Sequence, residues 1–306
     1  MVAATAWVPH SLHELRRGLG GLSGADSRLL ALAAVAFLAA AVAAAAAWLA
    51  ALRACGVAVS MREVAPRYAV GSLANSLAPA PAGEVVRIAL VSRLLESRSR
   101  SLTATGVCAT VALVRATAIA AVFAATTGAS WRTAATIVAV LACAACVAVV
   151  GRRRRGRVAH LVDAAAGLAR SPRRAAEVIL WVVASTGARI LAAALSVAAL
   201  GVAHPWSAAL VIVPALEVAA QIPLTPANLG VTSAAVTLAL RHRHVALVPA
   251  LSSGIALHAV ETLAGVGFGL AGVAALSGSR TRKRIAGAVA LAAGAGILGV
   301  WVADLG

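Results

Sequence analysis

The sequence predicts an all-α fold: a polytopic transmembrane helical bundle with two Pro/Gly-broken re-entrant hairpins in an inverted repeat. Three observations predict it. The 306 residues are 61% hydrophobic and only 12% charged, against roughly 45–50% apolar and about 25% charged in soluble chains. The apolar residues gather into runs long enough to cross a bilayer. Two further apolar stretches are interrupted by proline and then glycine, in the same order.

A hydrocarbon core about 30 Å thick needs about 20 apolar residues in a helix. Residues 29–52, 102–127, 133–150, 178–200, 246–276 and 285–302 are the clear candidates. Aromatic residues make up only 3% of the chain, so the apolar mass is Ala, Val and Leu, which suits close helix packing in lipid. Residues 1–28 are too polar to span, and WVPHSLHELRRGL within them reads as an interfacial helix. A single transmembrane domain then fills 29–306, with one half at 29–150, a basic linker at 151–176 and a second half at 177–306. The run 29–52 is longer than the apolar region of a signal peptide and reads as an uncleaved anchor. Trp48, Trp131, Trp181, Trp206 and Trp301 fall near segment ends and Trp7 in the interfacial stretch, where an aromatic belt belongs.

The broken stretches are 64–95, carrying NSLAPAPAGEVVRIAL, and 207–240, carrying QIPLTPANLGVTSAAVTLAL. Pro79, Pro81 and Gly83 interrupt the first, and Pro223, Pro226 and Gly230 the second. Proline removes a backbone donor and glycine relaxes the chain, so each stretch should form two half-helices around an irregular turn. Irregular backbone at membrane depth is tolerated only against protein or a watery cavity. Two such hairpins imply a cavity.

Charge tests this topology. The formal net charge is +17, and the apolar runs leave no soluble basic face for nucleic acid. If each broken segment returns to its own side, one face collects Arg53, Arg62, Arg67, Arg93, Arg98 and Arg100. It also collects the basic stretches 152–157, 170–174 and 280–284. The positive-inside rule makes that face cytoplasmic in an inner (plasma) membrane. The other face receives Arg16, Arg17, Arg28, Arg132, His204, Arg241 and Arg243. The order span, broken hairpin, span then recurs with opposite polarity, which is the mark of an inverted repeat with a substrate site near the midplane. The run 152–155 is a topology signal first and an anionic-lipid contact second. The Arg-dominated, Ala-rich usage suggests a GC-rich bacterial genome.

Ionisable groups inside the bilayer are costly and usually face a cavity or a partner. Glu84 and Arg87 share one helix face just after the first break, with Glu84 in the first turn, where the helix dipole favours a carboxylate. They form either a salt bridge that fixes the hairpin or a pair that grips a headgroup or carries a proton. Arg115 and Arg189 lie near the centres of their spans with no acid within a turn. Each needs an anion: Glu217, Glu261 or a substrate phosphate, which arginine suits by its two-pronged geometry. His258 and Glu261 are three apart, either sharing a proton or forming a satisfied buried pair. Asn75 and Gln221 precede the two turns, as caps or as headgroup donors.

Other constellations are weak. Cys143 and Cys146 form a C-x-x-C inside an apolar run without polar partners and read as helix packing, as do Cys55 and Cys108. The cluster 241–244 reads as a solvated loop. No phosphate-cradling glycine loop, zinc spacing or Ser/His/Asp set is present, so the expectation is a non-enzymatic protein without metal or cofactor.

At these residues the chain resembles the membrane region of lysylphosphatidylglycerol synthases and the related flippase-like integral membrane family. The matching pieces are N-x-x-x-P-x-x-x-G-E-x-x-R at Asn75, Pro79, Gly83, Glu84 and Arg87, the intramembrane Arg115, and P-x-x-P-x-x-x-G at Pro223, Pro226 and Gly230. The resemblance covers roughly 29–303. It implies a helical bundle with two re-entrant hairpins that moves a lipid between leaflets. The substrates it implies are aminoacylated phospholipids or polyprenyl-linked and other glycolipids. The chain departs from the family at Ala227, Asn228 and Ser233, where Gly-Gly and an acid are usual, and at Ala118, where an acid often follows. Without the synthases' aminoacyl-transferase domain it is not expected to make the lipid. Three functions fit: a lipid flippase acting on a phosphate-bearing, anionic lipid; a secondary transporter of a small solute or ion; and a non-transporting subunit that docks a lipid-synthesising enzyme through 151–174.

Overall fold

The computed structural model describes residues 24–77, 82–94, 98–127, 171–219 and 230–277. Every regular element among them is an α-helix. In chain order they are α1 (Ser27–Ala54), α2 (Met61–Leu77), α3 (Ala82–Ser92), α4 (Arg98–Thr127), α5 (Pro172–Ala198), α6 (Pro205–Ala219), α7 (Val231–His242) and α8 (Leu247–Leu276). α1, α5 and α8 are long and apolar enough to cross a membrane. The expected spans 133–150 and 285–302, the interfacial segment, most of the basic linker, and Pro79, Pro81, Gln221, Pro223 and Pro226 lie outside the described residues.

α1 begins where the Asp26 side chain accepts from the backbone N–H groups of Arg28 and Leu29, satisfying donors a helix start leaves open. It ends at Gly56, whose φ of 78° needs no Cβ, while Val57 N–H donates back to Leu52 O. That is a Schellman closure. α5 ends the same way at Gly201, with Val202 N–H on Val197 O. Both closures fall in a Gly-Val-Ala tripeptide, at 56–58 and 201–203. α2 then starts on a one-sided cap: the Glu63 carboxylate accepts from the Ser60 hydroxyl at 2.7 Å and from its backbone N–H at 2.9 Å. The Ser60 hydroxyl, then that N–H, hold the exposed Glu63 carboxyl below the ordinary carboxylate range.

α1 and α5 form the central antiparallel pair. Asp26 N–H donates to Ala199 O at one end, and the Ser185 hydroxyl donates to Ala40 O near the middle. At the opposite end Arg53 and Arg174 line one open cleft. The buried face of α1 is mostly alanine, with Ala33, Ala36, Ala40, Ala43 and Ala47 among its members. Lipid offers no hydrophobic drive for helices to associate, so small residues that let backbones approach supply the packing instead. Buried hydroxyls elsewhere are satisfied within their own helices: Thr186 on Val182 O, Ser196 on Ala192 O, Ser252 on Val248 O.

Two pairs of short helices flank the Pro-containing segments 78–81 and 220–229. In α2 and α3, Asn75 lies against Gly83 and Gly71 against Arg87, a register that only antiparallel helices give. In α6 and α7, an Arg243 Nη2–Ser207 Oγ hydrogen bond of 2.7 Å joins the start of one helix to the end of the other. At 1.5 Å per residue, their 17, 11, 15 and 12 residues reach about 16–26 Å each, short of the bilayer core. Because α1 and α5 are antiparallel, the first pair opens at the Arg53 end of the bundle and the second at the Asp26 end. Two apolar clusters result. One gathers the later half of α1, the first half of α2, the later half of α3 and the first half of α4, the other α6, α7 and α8, and the α1–α5 pair runs through both.

α8 packs antiparallel on α2 through Gly265, Gly269 and Gly272, where an added Cβ would overlap Ser76, Leu73 and Ala69 in turn. Gly267, on another face, would meet nothing. Gly269→Leu is therefore expected to lower the thermal midpoint in detergent by several degrees, and Gly267→Leu to leave it within a degree or so, overpacking costing roughly 1–3 kcal/mol.

One expectation is corrected here. Trp48 is not part of an interfacial belt: it is 3% exposed and meets Tyr68 edge-on, ring centroids 6.1 Å apart. Its place near the end of α1 fits a belt, but α2 folds back over that end and covers it. Trp206, 58% exposed, does keep a surface position.

Candidate functional site: a chain of intramembrane charges

Arg115, Arg189 and Glu261 each lie within about one turn of the midpoint of α4, α5 and α8. Glu217 lies two residues before the end of α6, at the second Pro/Gly break. The fold brings all four together. Arg115 Nη2 donates to Glu217 Oε1. Arg189 Nη2 is 3.6 Å from the same oxygen and donates to Glu261 Oε1 at 2.9 Å. The order is Arg115–Glu217–Arg189–Glu261, one side chain from each of four helices and both halves of the chain. Its middle is the more enclosed part: Glu217 is 12% and Arg189 21% exposed, while Arg115 at 31% and Glu261 at 29% form accessible ends.

The physical reason is charge balance. An arginine cannot shed its proton at any accessible pH, so an arginine at mid-depth requires a fixed anion. Two arginines and two glutamates meet that requirement on both sides. Of the anions the sequence left open, the carboxylates hold the arginines in this structure.

A second polar group lies at the first hairpin. Asn75 Oδ1 accepts from Gly83 N–H at 2.8 Å and ties the ends of α2 and α3 across the break. Glu84 stands in the first turn of α3 and is 3.8 Å from Arg87 Nη1. Arg87 itself is 8% exposed, with its guanidinium carbon 4.3 Å from the centroid of the Tyr68 ring, a cation–π contact. Gly71 makes room for it, since a Cβ there would overlap Arg87 Cγ. Arg87 Nε is buried without a hydrogen-bond partner among the described residues.

Tyr68 and Gly71 were not read from the sequence as parts of this group. The available signal was that Tyr68 is the chain's one tyrosine, on a stretch already read as broken. Gly230, with φ of 84° at the start of α7, occupies a conformation that favours glycine. His258 does not join the charge chain: its Nε2 is buried without a partner among the described residues, and Glu261 pairs with Arg189. The open cleft of about 510 Å³ lies elsewhere, between the end of α1 and the start of α5, and none of the four networked charges lines it. Among the described residues no group of three His, Cys, Asp or Glu could hold a metal ion.

Helices apolar enough to cross a membrane, packed around four paired charged side chains, define a polytopic helical membrane protein. The chain matches the family model described as Lysylphosphatidylglycerol synthase TM region over residues 11–269. It belongs to that family and is thereby tied to membrane lipid. No curated protein and no solved structure matches the chain.

Proposed function

We propose that this protein moves a phosphate-bearing lipid, an aminoacylated phospholipid or a polyprenyl-linked or other glycolipid, between the leaflets of a plasma membrane. It acts as a transporter rather than an enzyme. The observation that carries the reading is the mid-depth chain Arg115–Glu217–Arg189–Glu261, contributed by both halves and accessible at its two ends. Charges held at that depth answer the main barrier to lipid exchange, which is the passage of a headgroup through hydrocarbon.

The two short-helix pairs support the reading as re-entrant hairpins of an inverted repeat. Each is too short to span, they open at opposite ends of the bundle, and each follows a Gly-Val-Ala closure. A site between two such elements lies near the midplane. The end bearing Arg53, Arg173 and Arg174 is then cytoplasmic. Arg115 is the group a headgroup phosphate meets first, being the accessible cationic end, while the Arg87–Tyr68 contact holds the hairpin beside it.

The test is a leaflet assay in phosphatidylglycerol-containing proteoliposomes, following fluorescent phosphatidylglycerol and a fluorescent diacylglycerol that lacks the phosphate. The proposal predicts that the protein speeds exchange of the phospholipid at least about tenfold over protein-free vesicles, about 1.4 kcal/mol of barrier. Exchange of the diacylglycerol should be unchanged. No acceleration of any phosphate-bearing lipid would overturn it.

A further inference from the structure

The polar chain is neutral as it stands: two arginines face two glutamates. An anionic headgroup reaching Arg189 meets a cation already matched by Glu261 at 2.9 Å. Adding the headgroup alone would leave one uncompensated negative charge at mid-depth, which a low-dielectric surrounding strongly disfavours. The arginines cannot adjust, because they stay protonated. A glutamate can. Glu217 lies against both arginines and is 12% exposed, whereas Glu261 pairs at the end of the chain and is 29% exposed. Glu261 is therefore the carboxylate most readily released.

His258 lies one turn before Glu261 on α8, where residues three apart are neighbours. Its Nε2 is buried and has no hydrogen-bond partner among the described residues. The other titratable or charged groups on the helices packed against α8 are few. α5 carries Arg189 at this level, with Arg173, Arg174 and Glu177 near its start. α1 carries Arg28 and Arg53 at its ends, and α7 has Arg241 and His242 at its last turn. α2 carries Arg62, Glu63, Arg67 and Tyr68 in its first two turns. Beyond α8's own contacts, Arg115 and Glu217 complete the set.

We infer that the headgroup anion and one proton occupy this site together. The proton is taken up on a Glu261 carboxylate oxygen. The Arg189–Glu261 ion pair opens, and Arg189 donates to a phosphate oxygen instead. Charge balances: two arginines against Glu217 and Glu261 before, and against Glu217 and one phosphodiester after. No bond to phosphorus or carbon is made or broken. Carrying one anion with one proton moves no net charge, so a proton gradient can drive transport without ATP. This deepens the lipid-moving reading and rests on it.

The test is calorimetric titration of the purified full chain with dihexanoyl-phosphatidylglycerol, in buffers of different ionisation enthalpy. Sodium phosphate is run as the lipid-free control. The inference predicts uptake of about one proton per lipid and an affinity that falls about tenfold per pH unit on the alkaline side. Glu261→Gln, a permanent mimic of the protonated acid, should bind with no proton uptake and no pH dependence. His258→Gln should retain uptake and shift the midpoint of the pH profile. Binding without proton uptake by the wild type, or equal uptake by wild type and Glu261→Gln, overturns the coupling while leaving the headgroup site. Uptake with phosphate but not with the lipid overturns the assignment to a lipid headgroup. No binding of either ligand overturns the headgroup site as well.

Discussion

Glu217→Gln is expected to lower the stability of the protein by about 3–5 kcal/mol, the range for removing one partner of a buried ion pair. Glu217 is the carboxylate that both Arg115 and Arg189 approach, and it is the least exposed of the four charges. Without its charge two arginines share Glu261 alone, and neither can neutralise itself. The amide keeps the volume and a hydrogen-bonding oxygen, so packing changes cannot account for the loss. The check is the thermal midpoint and the monodisperse fraction of the variant in detergent. Glu84→Gln is the comparison: Glu84 is 45% exposed and 3.8 Å from its arginine, and the change should cost less than about 1 kcal/mol.

The second large effect separates structure from transport. Removing both members of the Arg115–Glu217 pair, as Arg115→Met with Glu217→Met, leaves Arg189 and Glu261 matched at 2.9 Å. Replacing a buried pair by apolar groups of similar volume is often neutral or stabilising, so the double variant should recover most of the stability lost in Glu217→Gln. Its charge chain, however, is cut in half and has lost the accessible cation. If a headgroup needs that cation to cross, exchange of the phosphate-bearing lipid should lose the whole acceleration and fall at least about tenfold, to the rate of protein-free vesicles, corresponding to about 1.4 kcal/mol of barrier.

Much of this was legible in the chain itself, because the bilayer makes helix length readable. The spans expected at 29–52, 178–200 and 246–276 correspond to α1, α5 and α8, with ends shifted by a few residues, and the stretch 102–127 forms the helix α4, which is apolar only over Ala109–Val122. The largest shift is the start of α5. Hydropathy begins it at Val178, but Pro172 behind Ser171 opens the helix through a polar first turn, as a proline at the first helical position does. The short-helix pairs α2–α3 and α6–α7 were legible as the stretches 64–95 and 207–240. Partner choice was not. That Glu217 would meet both arginines, and Glu261 only one end of the chain, depends on how α4, α5, α6 and α8 cross, which no spacing within one helix encodes. Trp48 misled for the same reason: a position at a helix end says nothing about what folds over it. The stripe Gly265, Gly269 and Gly272 was present in the sequence as a small-residue face, but its meaning waited on α2 lying against it.

The measurement that tests the account most directly is phosphatidylglycerol exchange in proteoliposomes holding equal amounts of folded wild type and of the Arg115→Met/Glu217→Met variant. Both should elute as single species and melt at similar temperatures. The account predicts rapid exchange for the wild type and exchange near that of empty vesicles for the double variant. A folded double variant that moves the lipid as fast as the wild type would contradict it, since the mid-depth charges would then be structural ties alone.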